Sequence, residues 1–149
     1  MKLHYLYGWL VGKKAAFVNT FPEDSPLRQQ ADAFWRHLDG GTWYFIIAFV
    51  VVALLFAWFY YKPFNETPGR HYRPRYWWIF GLVTVIASFA TTLGLAWMIA
   101  SPKIRGSLSI EIGIAIANML YSAVMYVIFS VLFCNNVFGS TNAYKTFKL

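Results

Sequence analysis

The chain has 149 residues, of which 58% are hydrophobic, 21% are aromatic and only 13% are charged. Soluble domains carry about a quarter charged residues, so the composition excludes an ordinary water-soluble domain and indicates a membrane protein. The formal charge is +7, and contact with anionic lipid headgroups accounts for it more simply than binding to nucleic acid. The length allows one compact helical unit but no separate catalytic domain.

An aromatic segment that lies in the membrane interface is predicted over residues 1–24. Lysines flank an apolar run, and no small-residue cleavage site follows it. We therefore interpret the run as a retained segment rather than a cleaved signal. Leu3, Leu6 and Leu10 are expected to dip into lipid. The alternative is a flexible tail.

An amphipathic helix is predicted over residues 25–39. Ser25 offers an N-cap, and Pro26 fits the first helical position. The sequence Asp-Gly-Gly at 39–41 is expected to end this helix and to turn the chain into the first span. Because no soluble core is expected nearby, we predict that the apolar face contacts lipid or a partner. Its residues are Leu27, Phe34 and Leu38.

A three-span membrane domain is predicted over residues 40–134, with spans at about 41–61, 76–100 and 110–134. Each stretch can cross a hydrocarbon core of about 30 Å at about 1.5 Å per residue. The fold class is thus an all-α integral membrane protein, with three transmembrane helices preceded by an amphipathic interfacial helix. Its partners then include the lipid bilayer. Residues 135–149 are predicted to form a polar C-terminal tail.

The second predicted span carries small and weakly polar residues at helical spacing. Such residues let helices approach closely in lipid, where packing rather than hydrophobicity drives association. We therefore predict a small-residue packing face. It consists of Gly81, Thr84, Ser88 and Thr92.

The third predicted span carries a line of polar residues on one face, which we call the polar stripe. These residues are Glu111, Asn118, Ser122, Tyr126 and Ser130. Glu111 is expected in the first helical turn, where a carboxylate suits the positive helix end. The stripe has two interpretations, hydrogen bonding between helices or a water-lined path in an oligomer. No span has Asp, Glu, Lys, Arg or His at mid-membrane, which argues against active transport.

A basic cluster precedes the second span and is predicted to contact lipid headgroups or a partner's acidic surface. Its members are Lys62, Arg70, Arg73 and Arg75. With Lys145 and Lys148 they outnumber the four Lys and Arg residues near the opposite ends of the spans. This excess favours a cytoplasmic first loop and C-terminus. Counting Lys2, Lys13 and Lys14 as well reverses the balance.

Signatures of catalysis are missing from the sequence. The three histidines lie in separate segments, without metal-ligand spacing. We therefore expect no enzyme activity, cofactor, metal site or nucleic-acid partner. The leading prediction is a non-catalytic integral membrane subunit that packs into a larger multi-protein assembly with other membrane subunits and anchors or scaffolds it. The alternative is a homo-oligomeric channel or pore lined by the third span.

Overall fold

The computed structural model describes residues 2–64 and 74–134, and every regular element in those ranges is a helix. The N-terminal segment forms two short helices, and three long helices follow. In chain order the elements are α1 (Leu3–Val11), α2 (Lys14–Val18), α3 (Pro26–Phe59), a π-helical turn (Tyr60–Phe64), α4 (Pro74–Ile99) and α5 (Ser107–Cys134). The predicted tail at 135–149 lies outside the described residues.

Three helices are long and apolar enough to cross a membrane, and the chain is an all-helical, multi-pass membrane protein as predicted. At about 1.5 Å per residue, α4 and α5 each exceed a hydrocarbon core of about 30 Å. The 34 residues of α3 extend for about 51 Å, which is too long for that core even with a tilt of about 40°. The charged residues of α3 lie near its N-terminus, so this end projects into water.

The predicted break at 39–41 is wrong, because α3 continues through both glycines. A Cβ added to Gly41 would lie 2.9 Å from Cγ2 of Ile99. Gly41 therefore lets α3 and α4 approach closely, in the manner of small residues between membrane helices. The predicted start of the helix is confirmed, since Ser25 Oγ accepts a hydrogen bond from the backbone N–H of Arg28 at 3.3 Å.

Two other boundaries differ from the predictions. Helical structure continues through Pro63 as a π turn. In an α-helix, a proline ring clashes with the backbone carbonyl four residues earlier. The wider π turn relieves that clash. The last helix begins at Ser107, so Glu111 lies in its second turn rather than its first. Gly106 precedes this helix with a φ of 87°, which suits glycine.

The helices divide into two units, the first of which comprises residues 2–48 and 89–118. Here the N-terminal segment packs onto the chain, so the alternative of a flexible tail is wrong. Its location in the membrane interface stays a prediction. Leu3 and Tyr7 are fully buried, and the backbone N–H of Leu3 donates to Asp39 Oδ1 at 2.8 Å. The prediction that Leu3 dips into lipid is therefore wrong.

The amphipathic face at the start of α3 is also covered within the first unit. Phe34 and Leu38 are fully buried, and the ring centroids of Phe34 and Phe17 are 5.9 Å apart. The prediction that these two side chains face lipid or a partner is wrong, because the N-terminal segment supplies the missing partner surface. Leu27 remains exposed.

The second unit comprises residues 49–64, 74–88 and 119–134. The core of this unit is rich in aromatic rings, and we call it the aromatic cluster. It contains Ala53, Ala57, Tyr60, Tyr61, Trp77, Tyr126 and Phe133. Further rings surround it, including Phe64 and Phe80, whose centroids are 5.0 Å apart in an edge-to-face arrangement. Such pairs contribute about 0.5–1.5 kcal/mol beyond area burial.

Candidate functional site

Asn118 joins three other helices inside the first unit. Its side-chain Nδ2 donates to the carbonyl oxygen of Phe45 and to Oγ1 of Thr92, each at 2.9 Å. Its Oδ1 accepts a hydrogen bond from the hydroxyl of Tyr7 at 2.8 Å. Asn118 is fully buried, where an amide without partners is costly. These hydrogen bonds therefore fix the relative positions of α1, α3, α4 and α5 within this unit.

Tyr7 is a contributor to this network that the sequence analysis missed. It lies 111 residues from Asn118, and its segment was interpreted as interfacial. The available signal was a phenol on an apolar helix, since a buried tyrosine usually finds a hydrogen-bond partner for its hydroxyl. Spacing along one helix cannot identify that partner.

Glu111 forms the second polar feature of the first unit. Its Oε1 lies 2.8 Å from Nζ of Lys103, and its side chain is fully buried whereas that of Lys103 is 36% exposed. The ammonium also lies 4.2 Å from the ring centroid of Trp97. Oε2 of Glu111 has no hydrogen-bond partner among the described residues. The carboxylate is thus compensated by a lysine that reaches in from the connection between α4 and α5.

The rest of the polar stripe lies in the second unit. The hydroxyl of Tyr126 donates to the carbonyl oxygen of Trp77 at 3.0 Å, and Trp77 Nε1 donates to Ser130 Oγ at 2.9 Å. Ser122 donates to the carbonyl oxygen of Met119 in its own helix at 2.9 Å. All five stripe residues are buried within this single chain. Their role in helix packing or pore lining stays a prediction.

The small-residue face of α4 is distributed over both units. In the first, Thr92 is buried and bonded to Asn118. In the second, Thr84 and Ser88 are buried, and a Cβ added to Gly81 would lie 3.2 Å from Cε1 of Tyr126. Thr84, Ser88 and Thr92 thus face the interior of their own units, whereas Gly81 is partly exposed beside Tyr126.

The predicted basic cluster is only partly described. Arg70 and Arg73 lie outside the described residues. Lys62 is half-buried in the π turn. Arg75 is exposed at the start of α4, and its Nη2 donates to the hydroxyl of Tyr76 at 2.9 Å.

A charged concave surface lies at the N-terminal end of α3, within the first unit. It encloses about 570 Å³. Its rim residues are Val18, Glu23, Arg28, Gln29, Asp32 and Arg36. Two ion pairs connect α3 to its surroundings, Asp32 to Lys14 of α2 at 2.5 Å and Arg28 to Glu23 at 3.3 Å, and a third joins Arg36 to Asp32 within α3 at 3.3 Å. We call this surface the charged hollow; the sequence analysis did not identify it.

No group of three or more His, Cys, Asp and Glu side chains that could hold a metal occurs in residues 2–64 and 74–134. Comparison of the whole chain with protein-family models, curated proteins and solved structures gives no match.

Proposed function

We propose that the chain is a non-catalytic integral membrane subunit that packs into a larger assembly and anchors or scaffolds it. The observation that carries the proposal is that residues of the polar stripe form hydrogen bonds between helices. Asn118, Tyr126 and Ser130 each hydrogen-bond to another helix of their own unit. A conducting path needs polar groups turned toward water, whereas these groups hold helices together. This use of the stripe supports an architectural role over transport.

The charged hollow is the surface proposed to receive a partner. It lies at the end of α3 that projects into water, and ion pairs connect α3 there to Lys14 of α2 and to Glu23. Interface rims are polar, and a preorganised rim reduces the ordering cost of binding. A partner segment with polar and charged side chains on its water-exposed part fits this surface. The apolar helices then keep that partner at the membrane.

Extraction of the tagged full chain in a mild detergent, followed by native mass measurement, tests the proposal. We expect a different protein chain to co-purify at fixed stoichiometry. Gln29→Trp fills the hollow and should release that chain. Gln30→Trp is the matched control, because Gln30 is the exposed neighbour that does not line the hollow. Recovery of this chain alone, or equal binding by both variants, contradicts the proposal.

The alternative is a homo-oligomeric channel lined by α5. The observation that favours it is Oε2 of Glu111, a buried carboxylate oxygen without a hydrogen-bond partner among the described residues. Acidic groups near a pore select cations. Unitary currents of the purified chain in a planar bilayer, with ion selectivity that changes in Glu111→Gln, favour the channel over the scaffold. A complex of identical chains in the mass measurement also favours the channel.

A further inference from the structure

An apolar groove runs between α4 and α5 in the second unit and encloses about 250 Å³. Trp78, Gly81, Leu82 and Val85 line it from α4, and Ala123 and Val127 line it from α5. Leu82 is 61% exposed and Val127 is 39% exposed, so the groove opens outward from the helices. Because both helices are membrane spans, the groove faces hydrocarbon.

The polar atoms next to the groove are already engaged within the second unit. Trp77 Nε1 donates to Ser130 Oγ, and the hydroxyl of Tyr126 donates to the carbonyl oxygen of Trp77. Membrane helices are recognised through small residues and interhelical hydrogen bonds, but here the ring of Tyr126 already occupies the notch at Gly81. The groove therefore offers dispersion contacts alone, which suits a hydrocarbon chain.

The volume of the groove limits the size of the molecule that it can bind. Pockets for drug-sized ligands enclose about 300–1,000 Å³, so this groove holds less than one such molecule. A helix with its side chains is about 10–12 Å across and would rest only on the rim. One flexible acyl chain can fill the space along the two turns between Trp78 and Val85.

Arg75 lies one helical turn before Trp78 on α4, outside the lining of the groove. Arg75, Trp78, Leu82 and Val85 follow one another at i, i+3, i+7 and i+10, and so lie on one face of α4. The guanidinium is exposed and lies 4.7 Å from the ring centroid of Tyr76. Its hydrogen-bond partner is the neutral phenol of that residue, and none of the described acidic side chains pairs with it. An exposed guanidinium at the membrane surface can bind a phosphate through charge-assisted hydrogen bonds.

We propose that this groove binds one anionic phospholipid, with an acyl chain between α4 and α5 and the phosphate at Arg75. Charge complementarity selects the lipid class, because each Arg near a bilayer surface favours anionic headgroups by about 1 kcal/mol. A zwitterionic headgroup adds an ammonium that the arginine repels. The proposal does not depend on the scaffold function.

Native mass measurement of the full chain in detergent tests the site, with phosphatidylglycerol and phosphatidylcholine of the same acyl chains as probes. We expect one bound phosphatidylglycerol per chain and a preference of about fivefold, which corresponds to about 1 kcal/mol. Arg75→Gln should abolish the preference, whereas Arg105→Gln should keep it. Equal binding of both lipids by the unmodified chain overturns the proposal.

A second pair of variants tests the groove itself. Ala123→Leu fills it and should reduce bound phosphatidylglycerol at least about fivefold. Val124→Leu is the control, because Val124 is the exposed neighbour on α5 that does not line the groove. Ala123→Val should give an intermediate loss, and circular dichroism confirms that each variant remains helical. If Ala123→Leu changes the population of chain dimers and leaves lipid binding unchanged, the occupant is a second copy and the proposal fails.

Discussion

In the first unit a fully buried asparagine and a buried carboxylate tie separate elements together, whereas in the second unit a cluster of aromatic rings forms the core. Asn118 connects three other helices through hydrogen bonds, and Glu111 holds Lys103 across the α4–α5 connection. In the second unit, Trp77 and Tyr126 are packed with their ring centroids 5.3 Å apart, and the rings of Tyr61 and Phe133 are stacked with their centroids 6.0 Å apart.

The difference shows two solutions to one physical problem. Lipid is as apolar as leucine, so burial of apolar surface gives membrane helices little reason to associate. Buried hydrogen bonds hold helices together because a buried amide is costly without its partners, and they are directional. Interlocking rings solve the problem by shape and dispersion. The first unit should therefore be sensitive to the loss of polar atoms, and the second to changes of shape.

Replacement of Asn118 should have the largest effect. Asn118→Leu removes three hydrogen bonds worth about 0.6 kcal/mol each in a membrane, so we expect a loss of about 2 kcal/mol in the free energy of unfolding. Unfolding by dodecyl sulfate in mixed micelles measures it. Ser122→Ala is the control, since Ser122 donates only within its own helix. Equal losses in the two variants contradict a special role for Asn118.

Overpacking of the second unit should come next. Gly81→Val pushes against the ring of Tyr126 and should destabilise the chain by about 1.5 kcal/mol, within the usual range of about 1–3 kcal/mol for overpacking. Gly94→Val is the matched control on the same helix, because a Cβ at Gly94 meets no atom within 4 Å. The two glycines carry the same change in helix propensity, so the difference between the variants in the micelle assay isolates the clash. No difference between them argues against shape as the determinant.

The Lys103–Glu111 pair should contribute less than a fully buried pair. Removal of one partner from a fully buried pair costs about 3–5 kcal/mol. Lys103 is partly exposed and therefore screened when it loses its partner, so we expect about 1 kcal/mol for Glu111→Gln. The double variant Lys103→Met with Glu111→Gln should recover most of the loss caused by Lys103→Met alone, because it leaves no buried charge. Additive losses in this double-mutant cycle contradict the coupling.

Removal of the Tyr126 hydroxyl should have the smallest effect. Tyr126→Phe keeps the ring in the aromatic cluster and loses one hydrogen bond, worth about 0.6 kcal/mol in a membrane. We expect a loss of that size in the same assay. Tyr126→Leu, which changes the shape, should cost more than Tyr126→Phe. The reverse order, or a loss in Tyr126→Phe as large as that in Asn118→Leu, would falsify the contrast between the two units.

Much of the membrane architecture follows from short-range sequence properties. The uncharged stretch at 41–61 predicts a span through its length and composition alone, and the cap at Ser25 depends on neighbouring residues. The Gly-Gly pair at 40–41 misled the sequence analysis because glycine suits a turn and a close helix contact equally well. Only the position of Ile99 distinguishes the two.

The sequence by itself determined the environment of this protein, the number of its spans and the helical face on which the polar stripe lies. Each of these depends on local composition or on a helical period of 3.6 residues. Tertiary structure alone decided that Tyr7 reaches Asn118, that Phe34 and Leu38 are covered by the protein itself, and that Lys103 compensates Glu111. These contacts join residues far apart in the chain or in different elements, and helical periodicity specifies which way a side chain points but not what it meets.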